Sequence, residues 1–313
     1  MKVSSGTRGR LGNAIFRYLA SALYCILYKA EKIQYNTSHI RISDTDLTDF
    51  ITWKKQVESG YVPIISSKHT LYCKLYEAEK TQCNTGDITP CKYISDTDFI
   101  TWKTQVESGH IPIISSIHYH FDDFYQHDSI YIKYLSELKE YIRSHPTEEL
   151  HTDDGKVFNS IQLLQDPSAR TYDTVIHIRL EDFITYGLVI HPLYYKELLL
   201  KYNITNVCIV MNRPSNELEH KYINYLKQSV DCTIETNDII TDYHIMQNAK
   251  TLICSNSTLS WAAALLSDVV TTVYMPNYPA TRIHETFRIP KQNIITYDYK
   301  SCTKEELEIF LQA

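Results

Sequence analysis

The chain has 313 residues, 31 of them basic and 37 acidic, for a formal charge of −6. That length predicts about two domains, and 43% hydrophobic with 22% charged residues excludes a disordered or collagen-like chain. The mild acidity argues against a protein built to grip nucleic-acid backbone, which needs clustered Lys and Arg, so no nucleic-acid partner is expected.

Lys2, Arg8 and Arg10 precede an apolar run from Tyr18 to Tyr28 that superficially resembles a signal peptide. The run is too short to span a bilayer, and no clean small-x-small cleavage site follows it. Apolar positions Ile15, Leu19, Ala22, Leu23, Ile26 and Leu27 recur at helical spacing, which predicts a buried first helix and no transmembrane segment. Just before it, Arg8-Gly9-Arg10-Leu11-Gly12-Asn13 holds two of the eight glycines in the chain. It reads as a tight loop opening a helix near Ala14, either a simple turn or a helix N-terminus that attracts an anion. Eight scattered cysteines without a C-x-x-C pair read as reduced thiols of a cytoplasmic protein. The sequons at Asn36, Asn203 and Asn256 then carry no glycan.

A duplication follows. Leu23-Tyr24-Cys25 to Asn36-Thr37 recurs as Leu71-Tyr72-Cys73 to Asn84-Thr85, and Trp53–Ser67 recurs as Trp102–Ser116. Two copies, at about 23–67 and 71–116, do not make a solenoid, so a tandem repeat inside one domain is expected. Each copy carries Asp-Thr-Asp, at Asp44–Asp46 and Asp96–Asp98. Such a pair can hold a divalent metal against a diphosphate, but Ser, Asp and Thr before a helix (Phe99–Glu107 in the second copy) also cap free N–H groups, and capping is the reading taken. His118-Tyr119-His120-Phe121-Asp122-Asp123 alternates like a strand end entering a polar loop. No metal is expected there or elsewhere.

Ile130–Arg143 has helical spacing and stops at His145-Pro146, and polar Thr147–Lys156 is a candidate boundary. Strands and helices then alternate: Thr174–Ile178, Tyr194–Tyr202, Val207–Met211, Glu217–Gln228, Thr251–Cys254, Thr258–Leu266 and Val269–Tyr274. That alternation predicts a parallel sheet flanked by helices, with ligands at the carboxyl ends of its strands. Two strand ends carry chemistry. In Val175-Ile176-His177-Ile178-Arg179-Leu180-Glu181-Asp182, His177 and Arg179 share a face. The Arg179 fork suits phosphate or carboxylate, unless Asp182 ties it up in a structural ion pair. Ser255-Asn256-Ser257 leads into the helix from Thr258, where hydroxyls either meet a phosphate or merely cap.

R-G-R-L-G-N near the start, H-I-R-L-E-D-F in the middle and D-Y-H-I-M…S-N-S-T-L-S-W near the end together resemble the α-1,2-fucosyltransferases of glycosyltransferase family 11. They are more distantly similar to other GT-B fucosyltransferases. The resemblance implies an α/β, GT-B-like fold of two Rossmann-type domains: an acceptor-side domain over 1–165, and a nucleotide-sugar-binding domain over 166–313. It further implies a metal-independent, inverting transfer of L-fucose from GDP-fucose to a glycan acceptor, with no other cofactor. Arg179 would hold the diphosphate, His177 and Asp242 would face the guanosine, Ser255, Asn256 and Ser257 would lie by the phosphates, and Gly12 and Asn13 would close over the donor. Asp182 or Glu181 is a candidate base. Three positions depart from the family pattern: Leu180 stands where a second Arg is usual, Ala14 for a Gln and Ala262 for a Trp. Another nucleotide-sugar donor, or a degenerate binding relative without turnover, are the competing expectations.

Overall fold

The computed structural model of the chain describes residues 2–5, 9–29, 31–32, 41–42, 91–94, 96–109, 118–121, 126, 128–277 and 292–312. They fall into two compact units, residues 1–125 with 147–158 and residues 126–146 with 159–313. The expected α/β class is observed, since each unit carries a parallel sheet.

The first unit contains β1 (Lys2–Ser5), α1 (Leu11–Tyr28), β2 (Glu31–Lys32), β3 (Arg41–Ile42), β4 (Cys91–Ile94), α2 (Asp96–Glu107), β5 (His118–Phe121), and the short strands β6 (Glu149–His151) and β7 (Val157–Asn159). Its sheet runs β2-β1-β5-β4-β3, every pairing parallel. Helix α1 is long and apolar enough to cross a membrane by length and composition, yet 78% of it is buried within the fold. Its one buried cation, Arg17, donates to the His151 carbonyl at 2.9 Å. Tyr18 donates to Glu148 at 2.8 Å. Helix α1 starts at Leu11, three residues before the expected Ala14, so Gly12 and Asn13 lie in its first turn instead of in a loop. Likewise Asp96-Thr97-Asp98 forms the first turn of α2 instead of preceding the helix.

Most of the tandem repeat, including Asp44–Asp46, lies outside the described residues, as do Arg8, Asp122 and Asp123. The described ends of the two copies pack on each other. Tyr24 of the first lies 4.2 Å from Trp102 of the second, centroid to centroid, and the Trp102 indole donates to Tyr28 at 2.6 Å. Strands β3 and β4, which each run up to a Ser-Asp-Thr-Asp sequence, pair side by side.

The second unit opens with α3 (Asp128–Lys133) and α4 (Leu135–Ser144). After a 3₁₀ turn at Ser160–Leu163 come β8 (Thr174–His177), α5 (Glu181–Tyr186), β9 (Val189–Ile190), α6 (Pro192–Lys201), β10 (Asn206–Val210), α7 (Glu217–Lys227) and β11 (Asp231–Glu235). Then follow α8 (Ile239–Gln247), β12 (Thr251–Ile253), α9 (Thr258–Leu266), β13 (Thr272–Pro276), β14 (Asn293–Tyr297), β15 (Ser301–Cys302) and α10 (Lys304–Phe310). The six-stranded sheet has the order β11-β10-β8-β12-β13-β14, with all pairs parallel. The strands are apolar on both faces because helices cover both sides. Chain order places β10 and β11 on one side of β8, and β12, β13 and β14 on the other. This is the doubly wound arrangement, and its direction reverses between β8 and β12.

Candidate functional site

In an open parallel sheet the loops on either side of that reversal part company above the strand ends, which leaves a crevice for a ligand. Here the crevice lies over the carboxyl ends of β8 and β12. The two sequence motifs expected to carry chemistry, His177–Asp182 and Ser255–Ser257, are the loops that flank it.

His177 closes β8 and is buried. Its Nδ1 lies 2.9 Å from Ser255 Oγ, which joins the two motifs across the reversal. Burial, then the neighbouring Arg179 charge, push the imidazole down to about 3, so the ring is neutral at physiological pH. Beyond it the chain turns sharply into α5, and Glu181 takes a φ of +28°, which is costly for a residue with a side chain. The turn brings Arg179 back onto Asp182. Nε donates to Oδ1, and Nη2 donates to both Oδ1 and Oδ2, all at 3.1 Å. The guanidinium also stands 4.9 Å over the Phe183 ring. Leu180 points the other way, into the core that includes Ile176, Tyr195 and Tyr297.

The loop after β12 is held from three directions. Tyr297, from the edge strand β14, donates to the Cys254 carbonyl at 2.6 Å. Asn256 donates to the Leu188 carbonyl at 3.0 Å. Ser257 is the N-cap of α9 and accepts from the Leu259 N–H at 3.4 Å. The remaining amides of that first turn are the donors a helix offers to an anion. Asn256 is 7% exposed, so its sequon is out of reach in the folded chain.

A second polar cluster lies on the β11 side. Asp242, on α8, is buried and accepts from the Asn237 N–H at 3.2 Å and the Asn237 amide at 3.0 Å, both at Oδ1. Asn237 also donates to Glu235 at 3.0 Å. Glu235 in turn accepts from Arg170 at 2.7 Å and from the Tyr172 hydroxyl. Burial pushes the Asp242 carboxyl up to about 6, against the Asn237 donors and with the nearby Asp238 and Glu235 charges. Burial alone would raise Glu235 too, but its donors from Tyr172, Asn237 and Arg170 outweigh it and hold the carboxyl below its ordinary range.

Of the expected site residues, His177, Arg179, Asp182, Ser255, Asn256 and Ser257 gather at the reversal. Asp242 stands to one side, and Gly12 and Asn13 belong to the other unit. Glu235, Asn237, Arg170, Tyr172 and Tyr297 were not anticipated. Their strands, β11 and β14, went unrecognised, so nothing marked these side chains as strand-end residues. Among the described residues no group of three His, Cys, Asp or Glu could hold a metal.

No protein-family model matches the sequence, and no curated protein matches it. Solved structures do. E. coli heptosyltransferase WaaC with ADP is 10% identical, with a TM-score of 0.40, and the match covers 100% of this chain and 99% of that one. Arabidopsis thaliana FUT1 in complex with GDP is 12% identical over 91% of this chain and 72% of that one, with a TM-score of 0.42. POFUT1 in complex with GDP is 10% identical over 95% and 98%, with a TM-score of 0.36.

Proposed function

We propose that this chain is a GT-B-type glycosyltransferase that takes a nucleoside-diphosphate sugar, GDP-fucose, and transfers the sugar with inversion to a glycan hydroxyl without a metal. The observation that carries the reading is the convergence of Arg179, His177 and the Ser255–Ser257 helix start at the reversal between β8 and β12. An R-type donor fork and a helix N-terminus in one crevice suit a diphosphate, and the sugar-transferase motifs in these same segments narrow the class.

Departure of a nucleoside diphosphate leaves charge that fixed donors can stabilise in place of a metal ion. Arg179 and the first turn of α9 supply those donors. Neutral His177, pinned by Ser255, adds a hydrogen bond without a charge. Asp182 orients the guanidinium and stands beside the crevice as the candidate base, a modest role for a transition state with oxocarbenium character.

Calorimetry with GDP, with chelator present throughout, tests the donor assignment. Micromolar binding that Arg179→Ala abolishes supports it, and the same substitution should slow transfer by about 10²–10³. No wild-type binding of GDP or GDP-fucose removes the reading. One observation favours a second reading, a relative that binds donor without turnover. Leu180 is core, so the crevice holds a single Arg here, and that Arg is clasped by Asp182. Intact GDP-fucose binding with neither transfer nor hydrolysis would select it.

A further inference from the structure

The carboxylate cluster on the β11 side has a role within the same crevice, resting on the nucleotide-sugar reading above. Sheet register sets its distance from the phosphate end. His177 is paired with Val210, and Val210 with Glu235, so the three stand level at the carboxyl edge. Two strand spacings separate His177 from Glu235, about 10 Å. That is the reach of a nucleoside from its diphosphate to its base. Helix α8, which carries Asp242, packs on β8 and β10 between them.

Within the cluster the hydrogen bonds run in one direction. Arg170 and Tyr172 donate to Glu235, the Asn237 amide donates to Glu235 and to Asp242, and Asp242 receives both of its bonds on Oδ1. Its Oδ2 accepts nothing among the described residues. Asn237 therefore fixes the rotation of the carboxylate while leaving one oxygen open. We infer that Asn237, clamped by Glu235, positions the Asp242 carboxylate as acceptor for the N–H edge of the base of a bound nucleoside diphosphate. A guanine offers such an edge and adenine does not present it in the same form, so the cluster is a specificity device.

The groups facing Asp242 are few. They are His177 on β8, Cys208 on β10, Glu235 at the end of β11, and Asp238 and His244 on its own helix segment, while α9 contributes no ionisable side chain. Of these, the Asn237 donors favour the charged carboxylate, whereas Asp238 and Glu235 oppose it. Loss of the Asn237 amide should move the inflection of nucleotide binding to higher pH, a change that general loosening of the loop would not produce.

The experiment is calorimetry of the full chain with GDP and with ADP, from pH 5 to 8, for wild type, Asn237→Ala and Arg170→Ala. Asn237→Ala should lose about tenfold in GDP affinity, the worth of one hydrogen bond to a charged group, with ADP unchanged and the inflection shifted upward. Arg170, 70% exposed, is removed at little risk to folding and should give a smaller loss of the same sign. A GDP-to-ADP ratio and an inflection that stay at wild-type values in both variants would overturn the inference while leaving Arg179-dependent GDP binding intact. If wild type ignores both nucleotides, the donor assignment itself falls and takes this role with it.

Discussion

Asp182 and Asp242 are both carboxylates of the crevice region, but their surroundings ask opposite things of them. Asp182 takes three hydrogen bonds from one guanidinium, so it competes with an incoming diphosphate for that fork. Asp182→Asn should tighten GDP binding by about threefold, the scale of a half-exposed ion pair, yet lower the transfer rate. A substitution that weakened GDP binding would show the carboxylate holding Arg179 in place instead of competing for it. Asp242 is a buried acid whose proton the fold retains, since its carboxyl sits at about 6 against an unfolded value near 3.8. The folded chain binds the extra proton between those values, so this group's contribution to stability falls as pH rises from about 4 to 6. His177, at about 3 in the fold, does the reverse, and stability is lost as pH falls below the ordinary imidazole value toward 3. The two slopes cancel across their shared window. Asp242→Asn removes one of them, so the variant should gain on wild type by about 1.4 kcal/mol per pH unit from pH 4 to 6. Above pH 6 the gain levels off at about 3 kcal/mol. Urea melts at pH 4, 5, 6 and 7.5 would show it, and equal midpoints throughout would place Asp242 in a wetter setting than the fold implies. The same variant should lose GDP affinity, an instance of a site group kept at the expense of stability.

Among the elements, those buried on both faces were readable as sequence. Thr174-Val175-Ile176-His177 and Val207-Cys208-Ile209-Val210 are continuous apolar runs because helices cover the sheet on each side. β11 and β14 escaped for the converse reason. As edge strands they expose alternate residues, and Asp231-Cys232-Thr233-Ile234-Glu235 has too little apolar content to stand out. Helix α8 escaped because Tyr243 to Gln247 are all buried, so no polar face gives it a helical period. Those misses hid half of the polar cluster, while His177, Arg179 and Ser255–Ser257 were visible because their strands were. β14 nevertheless reaches the crevice through one atom, the Tyr297 hydroxyl on the Cys254 carbonyl. Tyr297→Phe leaves that buried carbonyl unpaired, and should lower stability by about 1–3 kcal/mol and weaken binding of GDP more than of guanosine. Equal losses for the two ligands would mean that the tie supports the core and not the phosphate loop. In the first unit, Gly9 holds the entry to α1 with φ +80°, and a Cβ there would stand 2.5 Å from the Asn13 amide and 2.8 Å from its Cβ. Gly9→Ala should destabilise the chain by about 1–3 kcal/mol, readable as a lower melting temperature.

At the scale of the whole molecule, alternating strands and helices were enough to announce parallel sheets, but not where the chain divides. The polar stretch Thr147–Lys156 looks like a linker, and part of it instead forms the short strands β6 and β7. The Arg17 bond to the His151 carbonyl and the Tyr18 bond to Glu148 tie that stretch to α1. The preceding helices α3 and α4 belong to the later unit, where buried Lys139 pairs with Asp268 at 2.6 Å and Ser160 bonds the His145 carbonyl. Such long-range contacts of single polar groups leave no mark on local periodicity. They do determine which part of the chain can stand alone. A chain beginning at Gln126 keeps α3, α4, the six-stranded sheet and every side chain of the crevice and its polar cluster, within the size at which one core is self-sufficient. A chain beginning at Asn159 loses Lys139 and the apolar face of α4, including Leu138 and Ile142. The first should unfold in one cooperative transition and still bind GDP in an Arg179-dependent way. The second should melt earlier, by several degrees for each kcal/mol of helix packing removed. Because Gly12 and Asn13 are absent from both, the GDP affinity of the longer piece relative to the full chain measures their share directly. If the donor needs closure from the first helix, that affinity drops, and if it matches the full chain, donor capture belongs to the second unit alone.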